Sequence, residues 1–145
     1  MNTYQKLSLL LLRVSLGGLF LYAGITKVLD PAWTSAGYIS SAKNFTGLFQ
    51  FFSSPSMIGI TNFVNEWGLT LLGLSLIFGL FVRYSAPLGA LLMLLYYLVL
   101  PFPQVNPHAY IIDEHIIYIF ALLTLAAYNS GKIWGLDGRF RKSTI

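Results

Sequence analysis

Arg13, Lys27, Glu66, Asp113 and His115 stand inside or at the ends of long apolar stretches, where charge is rare and its spacing carries meaning. In the first stretch Arg13, Gly17, Phe20, Gly24 and Lys27 follow one another at helical steps. At about 100° per residue they fall within roughly 80° of one stripe. An arginine or lysine at the centre of a lipid-facing helix costs on the order of 2.5–3.5 kcal/mol, and glycines let a second helix come close. The stripe is therefore expected to face other helices, with Arg13 deep and Lys27 near one end. For both cations the alternative is a side chain that snorkels to the nearer surface. Glu66 shares a helix face with Gly73, one heptad on. It is expected at the depth of Lys27, where the two would pair; otherwise it is an N-terminal acid favoured by its helix dipole.

The last apolar stretch opens Ile111-Ile112-Asp113-Glu114-His115. Asp113 is placed to cap a helix. Glu114 and His115 each share a face with Tyr118. Lys27, Glu66, Asp113 and His115 can then reach one end of a bundle. An acid, an amine and an imidazole together could move protons, since histidine exchanges them near neutral pH. They could also hold the head of a quinone, with Arg13, Lys27, Glu66 and Tyr118 as its binding residues. The competing reading is a salt-bridge network that closes the bundle. No metal or haem is expected. His108 and His115 are the only histidines, sit near one surface and cannot give axial ligands at two depths; His108, Asp113 and His115 lack a specific metal-ligand spacing. Without cysteine there are no disulfides and no cysteine-ligated iron–sulfur clusters. Tyr96 and Tyr97 read as interhelical packing.

These residues need helices in lipid to position them. Only 10% of the 145 residues are charged and 56% are hydrophobic. Mean hydropathy is +0.68. That is too little charge to cover an aqueous surface. We expect an all-α membrane protein, a single domain over 1–145 built as a bundle of four transmembrane helices at about 7–28, 63–82, 85–100 and 111–128. A basic C-terminal tail, 129–145, follows. Arg83-Tyr84 is expected as the tight link of an antiparallel helix pair. Pro101 to Tyr110 is too proline-rich to continue a helix. The long link from Asp30 to Asn62, rich in aromatics such as Trp33, Tyr38 and Phe49, is read as an outer loop or interfacial helix, a lid, or else an aromatic plug. The N-terminal stretch is longer than a signal core and lacks a convincing cleavage site. Asn44-Phe45-Thr46 matches the glycosylation sequon by chance. Lys6, Arg83, Lys132, Arg139, Arg141 and Lys142 fall on one side, against Lys27 and Lys43 on the other. The positive-inside rule then gives a multi-pass protein of the cell membrane with both termini cytoplasmic. The net charge of +4 is thus topological, and no nucleic-acid partner is expected.

The stripe from Arg13 to Lys27 followed by Asp30-Pro31, the run Glu66-Trp67-Gly68 leading to Gly73 and Gly79, and the terminal Gly135-Leu136-Asp137-Gly138-Arg139 resemble the DoxX/DoxD family of small four-helix membrane proteins. Ala36-Gly37-Tyr38-Ile39 and Asp113-Glu114-His115-Ile116-Ile117-Tyr118 are similar to the DoxD branch. The resemblance implies a membrane subunit of a quinone-linked redox complex, in the DoxD branch a thiosulfate:quinone oxidoreductase. Quinone would be the electron acceptor, and a DoxA-like second subunit or a larger respiratory complex the partner. For DoxX members it implies instead a non-catalytic accessory subunit of a respiratory or oxidative-stress complex. Self-association is left open.

Overall fold

A computed structural model describes residues 1–140 as a mostly helical protein. Arg141 and Lys142, counted above among the one-sided cations, lie outside the described residues. Helix α1 runs over Thr3–Val28 and starts with a reciprocal cap: Asn2 accepts the Gln5 N–H, while the Gln5 side chain accepts the Asn2 N–H. Two short helices follow in the long link, α2 (Ala36–Ser40) and α3 (Thr46–Ser53). Helix α4 spans Ile58–Phe78 and α5 spans Val82–Val99. A small antiparallel ribbon, β1 (Gln104–Asn106) and β2 (Ala109–Tyr110), leads to α6 (Glu114–Ala127). A 3₁₀ turn at Ser130–Lys132 and a last short helix α7 (Leu136–Phe140) complete the described chain.

Four long helices occur in the expected order, with shifted ends. The second begins at Ile58 rather than Phe63 and stops at Phe78 rather than Val82. Gly79 stops it by taking a left-handed φ of +65° that side-chain-bearing residues rarely adopt. The tight link is therefore Gly79–Phe81. Arg83 and Tyr84, expected to form it, belong instead to the first turn of α5. The last helix starts at Glu114, because Asp113 caps it. Helices α1 and α5 are long and apolar enough to cross a membrane. Helix α4 is long but diluted by Asn62, Asn65 and Glu66, and α6 has 14 residues.

Packing divides the long helices into two pairs, α1 along α4 and α5 along α6, with α4 and α5 touching much less. The first pair is close because glycines face backbone across it. A Cβ on Gly24 would stand 2.9 Å from Thr70 Cα, and one on Gly73 2.6 Å from Leu21 Cα. Phe20, Leu69, Leu76, Met93, Leu122 and Leu125 fill the core between the pairs. Of the stripe, Arg13, Gly17, Phe20 and Gly24 are buried, as its periodicity requires.

The long link forms a lid over one end. Phe49 and Ile39 are buried against Val99 of α5, whereas Phe45 and Phe51 face outward. Polar bonds pin it. Asn62 Oδ1 accepts from the Ser35 N–H (2.9 Å) and hydroxyl (2.7 Å), and Thr61 Oγ1 donates to the Phe52 carbonyl at 2.9 Å. Tyr38 and Asn44 donate to the Tyr96 and Leu100 carbonyls at 2.9 and 3.2 Å. These are carbonyls that the C-terminal end of a helix leaves without intrahelical donors.

Candidate functional site

Lys27, Glu66, Asp113 and His115 all lie toward the lid end, but they do not form one cluster. Lys27 Nζ donates to the Ala23 carbonyl of its own helix at 2.7 Å and sits 5.5 Å from the centre of the Trp33 ring. Glu66 is half-buried and makes no ion pair among the described residues. The expected Lys27–Glu66 pair is therefore absent. The last turn of α1 supplies carbonyls and the link supplies an aromatic face, and together they hold the ammonium.

Asp113 is the best-organised acid of the set. Its Oδ1 accepts the N–H groups of His115 (3.0 Å) and Ile116 (3.3 Å), which caps α6. Its Oδ2 meets His115 Nδ1 at 2.7 Å, a hydrogen bond that is an ion pair only when the imidazole is protonated. The His115 ring stands edge-on to Tyr96, with centroids 6.1 Å apart. Tyr118 lies one turn further along α6, edge-on to Phe20 at 5.8 Å.

Tyr96 is the residue that the sequence reading set aside as packing. Its hydroxyl donates to Oδ1 of the buried Asn65, whose amide donates to the Thr61 carbonyl at 2.7 Å. Its ring stacks edge-on with Tyr38 of the lid at 5.9 Å. Two hydrogen-bonded pairs, Asp113–His115 and Tyr96–Asn65, thus meet through the edge contact of the His115 and Tyr96 rings, with Tyr38 beside them. Burial, helped by the charges of Asp113 and Glu114, pushes the Tyr38 phenol up to about 12. The available signal for Asn65 was a lone amide within an apolar stretch beside Glu66. Nothing local marked Tyr96, because its partners come from α2, α4 and α6.

A cavity of about 130 Å³ lies under the lid, lined by Tyr38, Phe49, Asn65 and Tyr96 among others. Val64, Leu92 and Leu95 line both this cavity and a larger apolar groove of about 650 Å³ between α4 and α5. The groove lies between helices that pack together much less than either close pair. Its walls are leucines and Phe78, with Ser75 and Ser85 as hydroxyl-bearing side chains.

Arg13 belongs to the opposite end and cannot share a ligand with His115. It is buried, and its Nη1 donates to the Ser130 carbonyl and, at 3.1 Å, to that of Ile133. Asp137 lies close enough to act on it electrostatically. The Asp137 carboxylate accepts the N–H groups of Phe81 (2.8 Å) and Val82 (3.3 Å), and its own N–H donates to the Gly79 carbonyl at 3.0 Å. The terminal Gly135–Arg139 motif is thus a clasp. It caps α5 from a distance, while Arg13 ties the chain after α6 to α1.

Glycine-spaced helices with a buried arginine, apolar exteriors and an aromatic lid define a small helical membrane protein. The DoxX family model matches residues 8–102, covering the stripe, the lid, the Gly79 turn and α5, and the chain belongs to the DoxX family. It is membrane-associated, as that family is. Comparison with curated proteins and comparison with solved structures give no match.

Proposed function

We propose that this chain is the quinone-binding membrane subunit of a redox complex of the DoxD type, embedded through four spans. The observation that carries the reading is the apolar groove between α4 and α5, which shares Val64, Leu92 and Leu95 with a small, largely apolar cavity under the lid whose wall carries Tyr38, Asn65 and Tyr96. That shape suits an amphiphile with a ring-sized polar head and a long apolar tail. Tyr96 and Asn65 present a hydroxyl and an amide at the cavity wall, within reach of a head-group carbonyl once their mutual bond is exchanged. The Asp113–His115 pair, stacked against Tyr96, is positioned to hand on a proton. The site thus moves away from Lys27, whose ammonium is held by the Ala23 carbonyl, and from Arg13, which lies at the opposite end with its Nη1 on the Ser130 and Ile133 carbonyls.

The cavity under the lid has no lysine or arginine among its lining residues, so it is poorly suited to a thiosulfate dianion. We assign sulfur-donor oxidation to a partner subunit. Two thiosulfates would join into one tetrathionate and release two electrons, and a quinone would take these up with two protons. Lys6, Arg83, Lys132 and Arg139 gather at the end that holds the start of α1 and helix α7, which supports a cytoplasmic location for that end.

A specific observation favours the second reading, a non-catalytic accessory subunit: the polar groups already have partners within the protein, Asp113 on the start of α6, Tyr96 on Asn65, and Asn65 on the Thr61 carbonyl. Purified membranes, with and without a DoxA-like partner, separate the two. Thiosulfate-dependent quinone reduction that falls at least tenfold in Tyr96→Phe and Asn65→Leu, with assembly intact, supports the first. Absence of quinone reduction by the wild-type complex, together with no labelling of α4 or α5 by a photoreactive quinone, refutes it.

A further inference from the structure

Arg83 and Lys132 meet across a recess of about 230 Å³ at the end of the protein away from the lid, lined also by Phe81, Tyr84, Asn129 and Asp137. Neither cation has a hydrogen-bond or ion-pair partner among the described residues. The carboxylate in the recess is not theirs to pair with. Asp137 is committed to the N–H groups of Phe81 and Val82 and sits in the field of Arg13. Two uncompensated positive charges therefore face one concave surface.

The recess also lies at a particular level. Phe81 and Tyr84 are 65% and 68% exposed, and Tyr128 and Trp134 at the same end are 57% and 59% exposed. Tyrosine and tryptophan gather where headgroups meet acyl chains. Phe81 lines both the recess and the end of the α4–α5 groove. A group bound between Arg83 and Lys132 would thus have apolar surface on its membrane side and water on the other.

We propose that this recess binds the phosphate of an anionic phospholipid headgroup, with Arg83 and Lys132 as its cationic walls and the Phe81 and Tyr84 rings flanking the glycerol backbone. Basic pockets between helices at this depth recognise such headgroups by charge. The site is independent of the quinone reading, since it shares no polar residue with the lid-end cavity. Each cation near an anionic surface contributes about fivefold in affinity, so the pair contributes roughly thirtyfold.

The test is lipid titration of the full chain in neutral detergent, read by native mass spectrometry and by thermal melting. Phosphatidylglycerol is expected to bind at least tenfold tighter than phosphatidylcholine and to raise the melting temperature. Arg83→Gln combined with Lys132→Gln should abolish that preference, whereas Lys6→Gln, which removes a cation outside the recess, should keep it. Inorganic phosphate at millimolar concentration should neither reproduce the melting shift nor displace phosphatidylglycerol; if it does both, the ligand is free phosphate and the lipid assignment falls. Equal binding of the two lipids by the wild type overturns the proposal without recourse to any variant. Preference retained in the double variant overturns it as well.

Discussion

Substituting Gly24 by alanine should separate α1 from α4, and Gly18→Ala on the same helix should not. A Cβ on Gly24 would lie 2.9 Å from Thr70 Cα and nearer still to the Thr70 amide and hydroxyl, against an ordinary contact of 3.4–4 Å. The shortfall is at least about half an ångström against backbone, which no rotamer change relieves. A Cβ on Gly18 meets nothing within 4 Å. Both substitutions gain the helix propensity of alanine, up to about 1 kcal/mol. Only Gly24→Ala carries the overpacking cost of about 1–3 kcal/mol. The two variants should therefore differ by about 1–3 kcal/mol, with Gly18→Ala equal to or above the wild type. Reversible unfolding by dodecyl sulfate in mixed micelles, followed by far-ultraviolet circular dichroism, measures that gap. If Gly24→Ala unfolds at the same or a higher dodecyl sulfate fraction than Gly18→Ala, the close approach of α1 and α4 is wrong.

Asp137→Ala should remove the remote cap on α5 and lower stability by about 0.5–2 kcal/mol in the same assay, with Asp137→Asn closer to wild type because it keeps one acceptor. Asp113→Ala should cost a similar amount through α6. Asp113→Asn should keep the cap and lose only the carboxylate contact to the His115 ring, which circular dichroism and the imidazole NMR resonance resolve separately. The Tyr38 phenol holds its proton up to about 12 in the folded protein, against an ordinary value of 10.0. The folded state thus binds that proton more firmly, so the lid bond to the Tyr96 carbonyl is intact below about pH 10 and is lost as pH rises toward 12. The lid's circular-dichroism and tyrosine-fluorescence signal should change over that window in the wild type, in step with ionisation of one phenol, and Tyr38→Phe should remove that step.

The helical class, the order of the long helices and the inward stripe on α1 were legible in the residues alone. Each follows from local rules: apolar length, a period near 3.6, and the cost of turning Arg13 toward lipid. Asp113 as a cap was legible for the same reason, since a cap acts on its own next turn. The Lys27–Glu66 pair was misjudged because matching depth does not set where a flexible side chain ends. Lys27 found a carbonyl and an aromatic ring nearer to hand. Only the tertiary structure could decide the rest. Tyr96 gathers Tyr38, Asn65 and His115 from three other helices, Asp137 caps a helix that began 55 residues earlier, and the groove arises from the sparse packing of α4 against α5. None of these is a property of any one segment. They follow from how the α1–α4 and α5–α6 pairs are set against each other, which sequence periodicity does not encode.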